Sequence, residues 1–283
     1  MDRKKCSRPE VNFISGLLAG LNNAIICAPL DTAKTRLQIQ GLYNKSYSGT
    51  TQTLSMIYKT EGIRGLYQGS SITILAYPLS WSLYFIIYEY LKSVTNDYTS
   101  SSLYSNILSA SGAGLVSTVV TNPLWLIRVR LQAQREKTNS GWEIGKNLIQ
   151  KEGFLSLYRG FSASLLGVGH VIIYFPMYEY FKEHIYNEDQ PTLIGVLISS
   201  WIPKVCASAV SYPHELIRAR IYTHDATQDK RFCGFKGLIM FTFNTEGFKG
   251  FYGGFFTNIF RILPSTFVTL YTYEKVKYFL EHN

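Results

Sequence analysis

Three short stretches of the chain repeat a spacing of charges that suits ion pairing: APLDTAKTRLQ (28–38), TNPLWLIRVRLQ (121–132) and YPHELIRARIY (212–222). Each places a cation five residues after a proline and another at seven: Lys34 and Arg36, Arg128 and Arg130, Arg218 and Arg220. Two of them carry a carboxylate two residues after the proline, Asp31 and Glu215, where the middle one has Trp125. Acid and cation three residues apart lie on neighbouring faces of one helix turn. As local surface pairs they would contribute only ~0–1 kcal/mol each. Threefold recurrence favours another arrangement, in which each acid meets the cation of the next copy and the pairs close a ring. A second set recurs as YEYLK (88–92), YEYFK (178–182) and YEKVK (273–277). Its Glu89, Lys92, Glu179, Lys182, Glu274 and Lys277 would form a ring at the opposite side. Two rings that can each close around one chamber describe alternating access.

Two more cations, Lys204 and Arg261, stand in runs otherwise without charge. Lys204 precedes Pro213 by ~13 Å of helix, and Arg261 precedes Glu274 by ~20 Å. In an apolar layer ~30 Å thick both fall near the middle. No carboxylate inside those runs is there to neutralise them. A charge at that depth is costly and marks function; the alternatives are pairing with backbone carbonyls and snorkelling to an interface. Arginine suits bidentate contact with phosphate and lysine supplies a point charge, so the pair suits an anionic, phosphate-bearing solute. Other candidate contacts lie in LAYPLSWSLYF (75–85), where Ser80 and Tyr84 share a helix face that Trp81 adjoins. Trp81 either stacks on a base or packs between helices or against lipid. In SLLGVGHVIIYFPMYE (164–179), Gly167 leaves room beside His170 for a flat ring; His170 is alternatively a satisfied packing residue.

The elements that must position these residues are membrane helices. Six runs of about the ~20 residues needed to span a bilayer have no more than one formal charge: 11–30, 70–88, 98–127, 161–178, 190–214 and 250–273. Mean hydropathy is only +0.01, as expected of spans rich in Ser, Thr, Asn and Tyr that line a wet cavity. The net charge of +9 does not point to nucleic acid. The three long inter-span stretches hold five, seven and six of the 28 Lys and Arg, against Lys92 and Lys182 alone in the two short ones. That asymmetry is the positive-inside pattern, with both termini on the other side. The first apolar run is too long for a cleavable signal peptide. The four cysteines have no paired spacing, so neither a disulfide framework nor a metal site is indicated. No glycine-rich nucleotide loop or catalytic constellation marks an enzyme, and no cofactor is called for.

The repeat extends well beyond these motifs. Pro29, Pro123 and Pro213 are followed by Glu61-Gly62, Glu152-Gly153 and Glu246-Gly247, then by GLYQG, SLYRG and GFYGG. Three units result, 1–97, 98–190 and 191–283, forming one integral domain. A proline within a helix removes a backbone hydrogen bond and kinks it, so the odd-numbered spans are predicted to bend alike and converge.

With three copies of Pro-x-acid-x-x-cation-x-cation in register with Glu-Gly and Tyr-Glu-x-x-Lys, the chain resembles the mitochondrial carrier family over about residues 11–280. The resemblance implies an all-α membrane protein: six transmembrane helices in three pseudo-threefold repeats with short matrix amphipathic helices. It implies the mitochondrial inner membrane, termini toward the intermembrane space, and solute exchange without ATP hydrolysis. By its pattern the matrix ring pairs Asp31 with Arg128 and Glu215 with Lys34, while Arg218 faces Trp125 and finds water, a carbonyl or the Trp125 ring. The cytoplasmic ring pairs Glu89 with Lys182, Glu179 with Lys277 and Glu274 with Lys92. A glutamine brace falls on Gln38 and Gln132; the third copy departs from it with Tyr222. Substrate contacts fall on Ser80–Tyr84, on Leu166 and Gly167 with His170 one turn on, and on Arg261, joined by Lys204. Trp125 resembles a subgroup that carries pyrimidine nucleotides, flavin or folate, and NAD, and within it the segments PLSWSLYF, LLGVGHVIIYFPMYE and SYPHELIRARI are most similar to the NAD carriers of yeasts. The expected function is exchange of NAD into the matrix for a second nucleotide; the alternatives are a pyrimidine nucleotide or FAD/folate carrier, or an uncoupler that dissipates protons. Cardiolipin is the lipid partner that the resemblance implies, and one bundle from three repeats suggests a monomer.

Overall fold

The computed structural model describes residues 9–43, 47–98, 102–134, 140–167, 169–185, 193–223 and 234–282. Those residues form ten α-helices: α1 (Pro9–Ile39), α2 (Thr50–Leu66), α3 (Ser70–Tyr98), α4 (Ser102–Ala133), α5 (Gly141–Glu152), α6 (Phe161–Leu166), α7 (Gly169–Ile185), α8 (Leu193–Thr223), α9 (Gly234–Gly250) and α10 (Phe255–His282). Helices α1, α3, α4, α8 and α10 are long. The remaining span carries α6 and α7. Pro29, Pro123 and Pro213 lie inside α1, α4 and α8. Among the described residues, 14–43, 70–95 and 105–133 are by length and composition apolar enough to cross a membrane. Helix α7 has only 17 residues, and α8 and α10 carry Lys204 and Arg261 among many hydroxyl side chains.

Packing repeats three times. Helix α3 runs along α4, α7 along α8, and α10 along α1, while α1, α4 and α8 touch one another pairwise. The short helices α2, α5 and α9 follow the three proline-bearing helices and pack against them. The start of α5 is fixed by a capping box, in which the Ser140 side chain and Glu143 satisfy each other's backbone N–H groups. Each repeat also has one glycine where the chain turns into the next span: Gly69, Gly160 and Gly254, with φ of 78°, 76° and 80°. A Cβ on Gly69 would lie 3.0 Å from the Arg128 carbonyl oxygen, and one on Gly254 3.0 Å from that of Lys34. Left-handed backbone and close approach both require glycine here. The turns thus seat each even-numbered span against the proline-bearing helix of the following repeat.

Candidate functional site

At the proline end the three converging helices are joined by charge. Lys34 donates to Glu215 at 2.5 Å and to Asn258 at 2.9 Å. Arg128 donates to Asp31 at 3.0 Å. Both ion pairs link different repeats, in the register that the sequence motif predicts. Directly beneath, Gln38 donates to the Tyr212 hydroxyl at 3.3 Å, and Thr35 donates to Gln132 at 2.8 Å. Where the third repeat departs from glutamine, the Tyr222 hydroxyl donates to Asn122 at 3.0 Å and shares a 2.7 Å hydrogen bond with Ser164. The departure therefore changes the side chain but keeps a cross-repeat bond. The arrangement blocks passage at this end, because Lys34, Gln38 and Gln132 are all buried.

The motif's second cation has a role that spacing alone did not reveal. Arg36, Arg130 and Arg220 each direct Nε at a main-chain carbonyl of another repeat: Gln132 at 3.1 Å, Tyr222 at 2.7 Å and Gln38 at 2.9 Å. The accepted carbonyls are those of the brace position itself. Arg36 is also paired with Glu61, and Arg220 with Glu246. Glu152 is paired instead with Arg159, an arginine that stands where the other repeats have Gln68 and Gly253. The clue available in sequence was the constant company of the plus-seven cation and Glu-Gly.

Above the network opens a cavity of about 350 Å³. Trp125 lines it, with Tyr77 edge-on at 5.0 Å and the Arg128 guanidinium over its ring at 5.3 Å. The cation on Trp125 is therefore its own helix neighbour. Arg218, which was expected to have the ring as one option, lines the same cavity. Among the described residues it makes no hydrogen bond or ion pair. Arg261 requires a correction. Its Nε lies 3.2 Å from Asp31 Oδ1 without the alignment of a hydrogen bond, and its Nη2 donates to Asn258 at 3.2 Å. The acid absent from its own run comes from α1, whose Asp31 is shared with Arg128. Lys204 has no hydrogen-bond or ion-pair partner among the described residues.

The other predicted contacts divide. Trp81 is 58% exposed and stacked on Phe85 at 5.8 Å. It stands one helix turn from cavity-lining Tyr77 and is not itself among the residues that line the cavity. Tyr84 lies edge-on to Trp81 at 6.1 Å and parallel to Tyr88 at 6.1 Å. The Ser80 hydroxyl is spent on the Ala76 carbonyl at 2.7 Å, and the Ser80 carbonyl accepts from Ser117 of α4, so Ser80 belongs to the α3–α4 contact. His170 Nδ1 is 3.1 Å from the Ser211 hydroxyl and its ring is parallel to Tyr174, which meets the packing alternative. Gly167 closes α6 in right-handed conformation. The Leu166 and Lys182 side chains lie outside the described residues.

The Tyr-Glu end looks different. Glu89, Glu179 and Glu274 are exposed. Among the described residues none of them forms an ion pair, so Glu179–Lys277 and Glu274–Lys92 are not formed. Lys92 and Lys277 lie instead over the rings of Tyr88 and Tyr273, at 5.5 and 5.8 Å. The structure thus holds the proline-end pairs formed while the Tyr-Glu end is without ion pairs among the described residues.

A family model described as mitochondrial carrier protein matches the chain three times, at residues 7–99, 99–189 and 189–283. The chain is 37% identical over 286 residues to the chloroplastic nicotinamide adenine dinucleotide transporter 1 of Arabidopsis thaliana, covering 95% of this chain and 91% of that protein. It is 37% identical to the mitochondrial nicotinamide adenine dinucleotide transporter 1 of Saccharomyces cerevisiae, covering 98% of this chain and 79% of that protein. A third relative, the mitochondrial nicotinamide adenine dinucleotide transporter 2 of Arabidopsis thaliana, is 36% identical over 96% of this chain and 80% of its own length.

Proposed function

The chain belongs to the mitochondrial carrier family, and on that footing we propose that it exchanges NAD across the mitochondrial inner membrane, bringing it into the matrix against a second nucleotide. The observation that carries the mechanism is the contrast between the two ends. One is tied by Lys34–Glu215 and Arg128–Asp31, while at the other the described carboxylates are unpaired. Read with both termini toward the intermembrane space, the tied end is the matrix gate and the open end admits cargo from the cytoplasmic side. Cargo bound by Lys204 and Arg261, with Trp81 stacked on a ring, offsets the cost of separating the matrix pairs. The cytoplasmic pairs then form and the chamber faces the matrix. A single bundle suffices for this cycle, in a bilayer where cardiolipin is the expected partner.

The cargo reading is supported by the named relatives, by Lys204, which has no hydrogen-bond or ion-pair partner among the described residues, and by the run of stacked aromatic rings on α3. Trp125 also favours a second reading, a pyrimidine nucleotide or a flavin or folate, through the subgroup that shares it. Uptake of labelled NAD into liposomes holding the purified chain, with unlabelled nucleotides as competitors, separates these. Lys204→Ala and Arg261→Ala are each expected to depress exchange at least tenfold, the scale of one charge-assisted contact. Full exchange in both variants would remove the phosphate role, and preferential competition by a pyrimidine nucleotide would replace NAD as cargo.

A further inference from the structure

The cavity above the matrix gate is unequally charged. Lys34, Arg128, Arg218 and Arg261 line it, against only Asp31 and Glu215. Lys34 is matched with Glu215, and Asp31 is divided between Arg128 and Arg261. That leaves an excess of two positive charges in a space walled by protein. Arg218 carries this excess most openly: among the described residues it makes no hydrogen bond or ion pair, and it acts on Glu215, already paired with Lys34, only across space. Donors are also left over nearby: the Nε atoms of Arg128 and Arg261 are buried and make no hydrogen bond. Buried N–H groups without an acceptor, and a guanidinium that lines the cavity without a hydrogen-bonded acid, are open to an acceptor that enters it. One of the two surplus charges follows from a single residue. Trp125 stands where the other repeats have Asp31 and Glu215, and its ring is committed to Arg128 and Tyr77.

We propose that Arg218 is a phosphate-binding residue, and that the cargo's pyrophosphate fills the place of the acid that Trp125 displaces. The site lies on α8, ~21 Å along the helix from Lys204, and of the even-helix positions that the family resemblance marks it shares Arg261 alone, so the pyrophosphate reaches it on leaving Lys204. Two phosphodiester charges match the two surplus cations. Arginine's planar fork suits a phosphate better than a lysine would at this position. The aromatic pair Tyr77 and Trp125 borders the same space, so a base or nicotinamide ring linked to that phosphate has an apolar wall beside it. A cargo without phosphate leaves Arg218 unmatched, so the site discriminates nucleotides from nucleosides. Binding there also puts the cargo's charge among the matrix gate pairs, where it competes with Asp31 for Arg128 and Arg261.

The identity of the cargo rests on the NAD reading, whereas the site itself does not, and inorganic pyrophosphate is the probe that separates the two. Its effect on the unfolding temperature of the detergent-purified chain, and on exchange of labelled NAD in liposomes, is to be measured for wild type, Arg218→Gln, Arg218→Lys and Trp125→Asp. Pyrophosphate is expected to stabilise the wild type and to compete with NAD. Arg218→Gln and Trp125→Asp, the second by giving Arg218 an internal acid, should each weaken pyrophosphate binding and raise KM for NAD roughly tenfold to a hundredfold. Arg218→Lys keeps the charge and should fall between. Unchanged pyrophosphate affinity in both Arg218→Gln and Trp125→Asp, a lysine variant no better than glutamine, or no response of the wild type to pyrophosphate would each overturn the proposal. If Arg218-dependent pyrophosphate binding is found without NAD exchange, the cargo reading fails and the site stands. If NAD is exchanged with a KM indifferent to Arg218, the site fails and the cargo reading stands.

Discussion

Charge as deeply buried as that of Arg36 is tolerable only because it is multiply matched. Arg36 and Glu61 are both almost wholly removed from solvent, and Arg36 also reaches Gln68 and two main-chain carbonyls. Removing one member of such a pair strands the other and costs about 3–5 kcal/mol. Glu61→Gln is therefore expected to lower the unfolding temperature of the purified chain by many degrees, while the same change at exposed Glu183 leaves it unaltered. Tyr222→Phe tests the brace in a milder way. It deletes a hydroxyl bonded to Asn122 and Ser164, which is worth about 1 kcal/mol, so a loss of a few degrees is expected and a thermally silent variant would show that the bond carries nothing. Residue types alone disclosed which side chains pair across repeats, because threefold spacing makes a ring the economical explanation. They did not disclose that Arg261 leans on Asp31, since that contact joins the last span to the first and depends on how the bundle closes.

Among the elements, legibility followed period and punctuation. Long uncharged runs marked the spans, and the prolines marked the three helices α1, α4 and α8 that touch one another. The turn glycines were visible as repeated letters, but their reason is conformational. Gly254→Ala adds a Cβ that must accommodate φ of 80° and lie 3.0 Å from both the Lys34 carbonyl and the Tyr212 hydroxyl. Positive φ costs a non-glycine residue roughly 1–2 kcal/mol before any clash, so this variant should fold poorly and lose thermal stability. Gly20→Ala, in a right-handed helix with open space around its Cβ, is the contrasting change. It is expected to preserve thermal stability in this conformation, and equal losses for the two variants would contradict the role assigned to the turns.

For the molecule as a whole, three repeats make a ring whose three joints are not equal. Helices α1 and α4 are joined by Asp31–Arg128, and α1 and α8 by Lys34–Glu215. Between α4 and α8 the corresponding place holds Trp125 and Arg218, and hydrogen bonds from Tyr222 and Arg130 are what connect the two helices. The family's threefold pattern suggests an iris, with three leaves parting together. The weaker seam suggests a door instead, with α1 as the post on which both ionic hinges hang. Spin labels at the proline ends of the three helices should record α4 moving away from α8 before either leaves α1; simultaneous separation of all three distances would restore the iris. A hinged exit gives cargo a side, and the passenger would leave past α4 and α8 rather than straight down the axis.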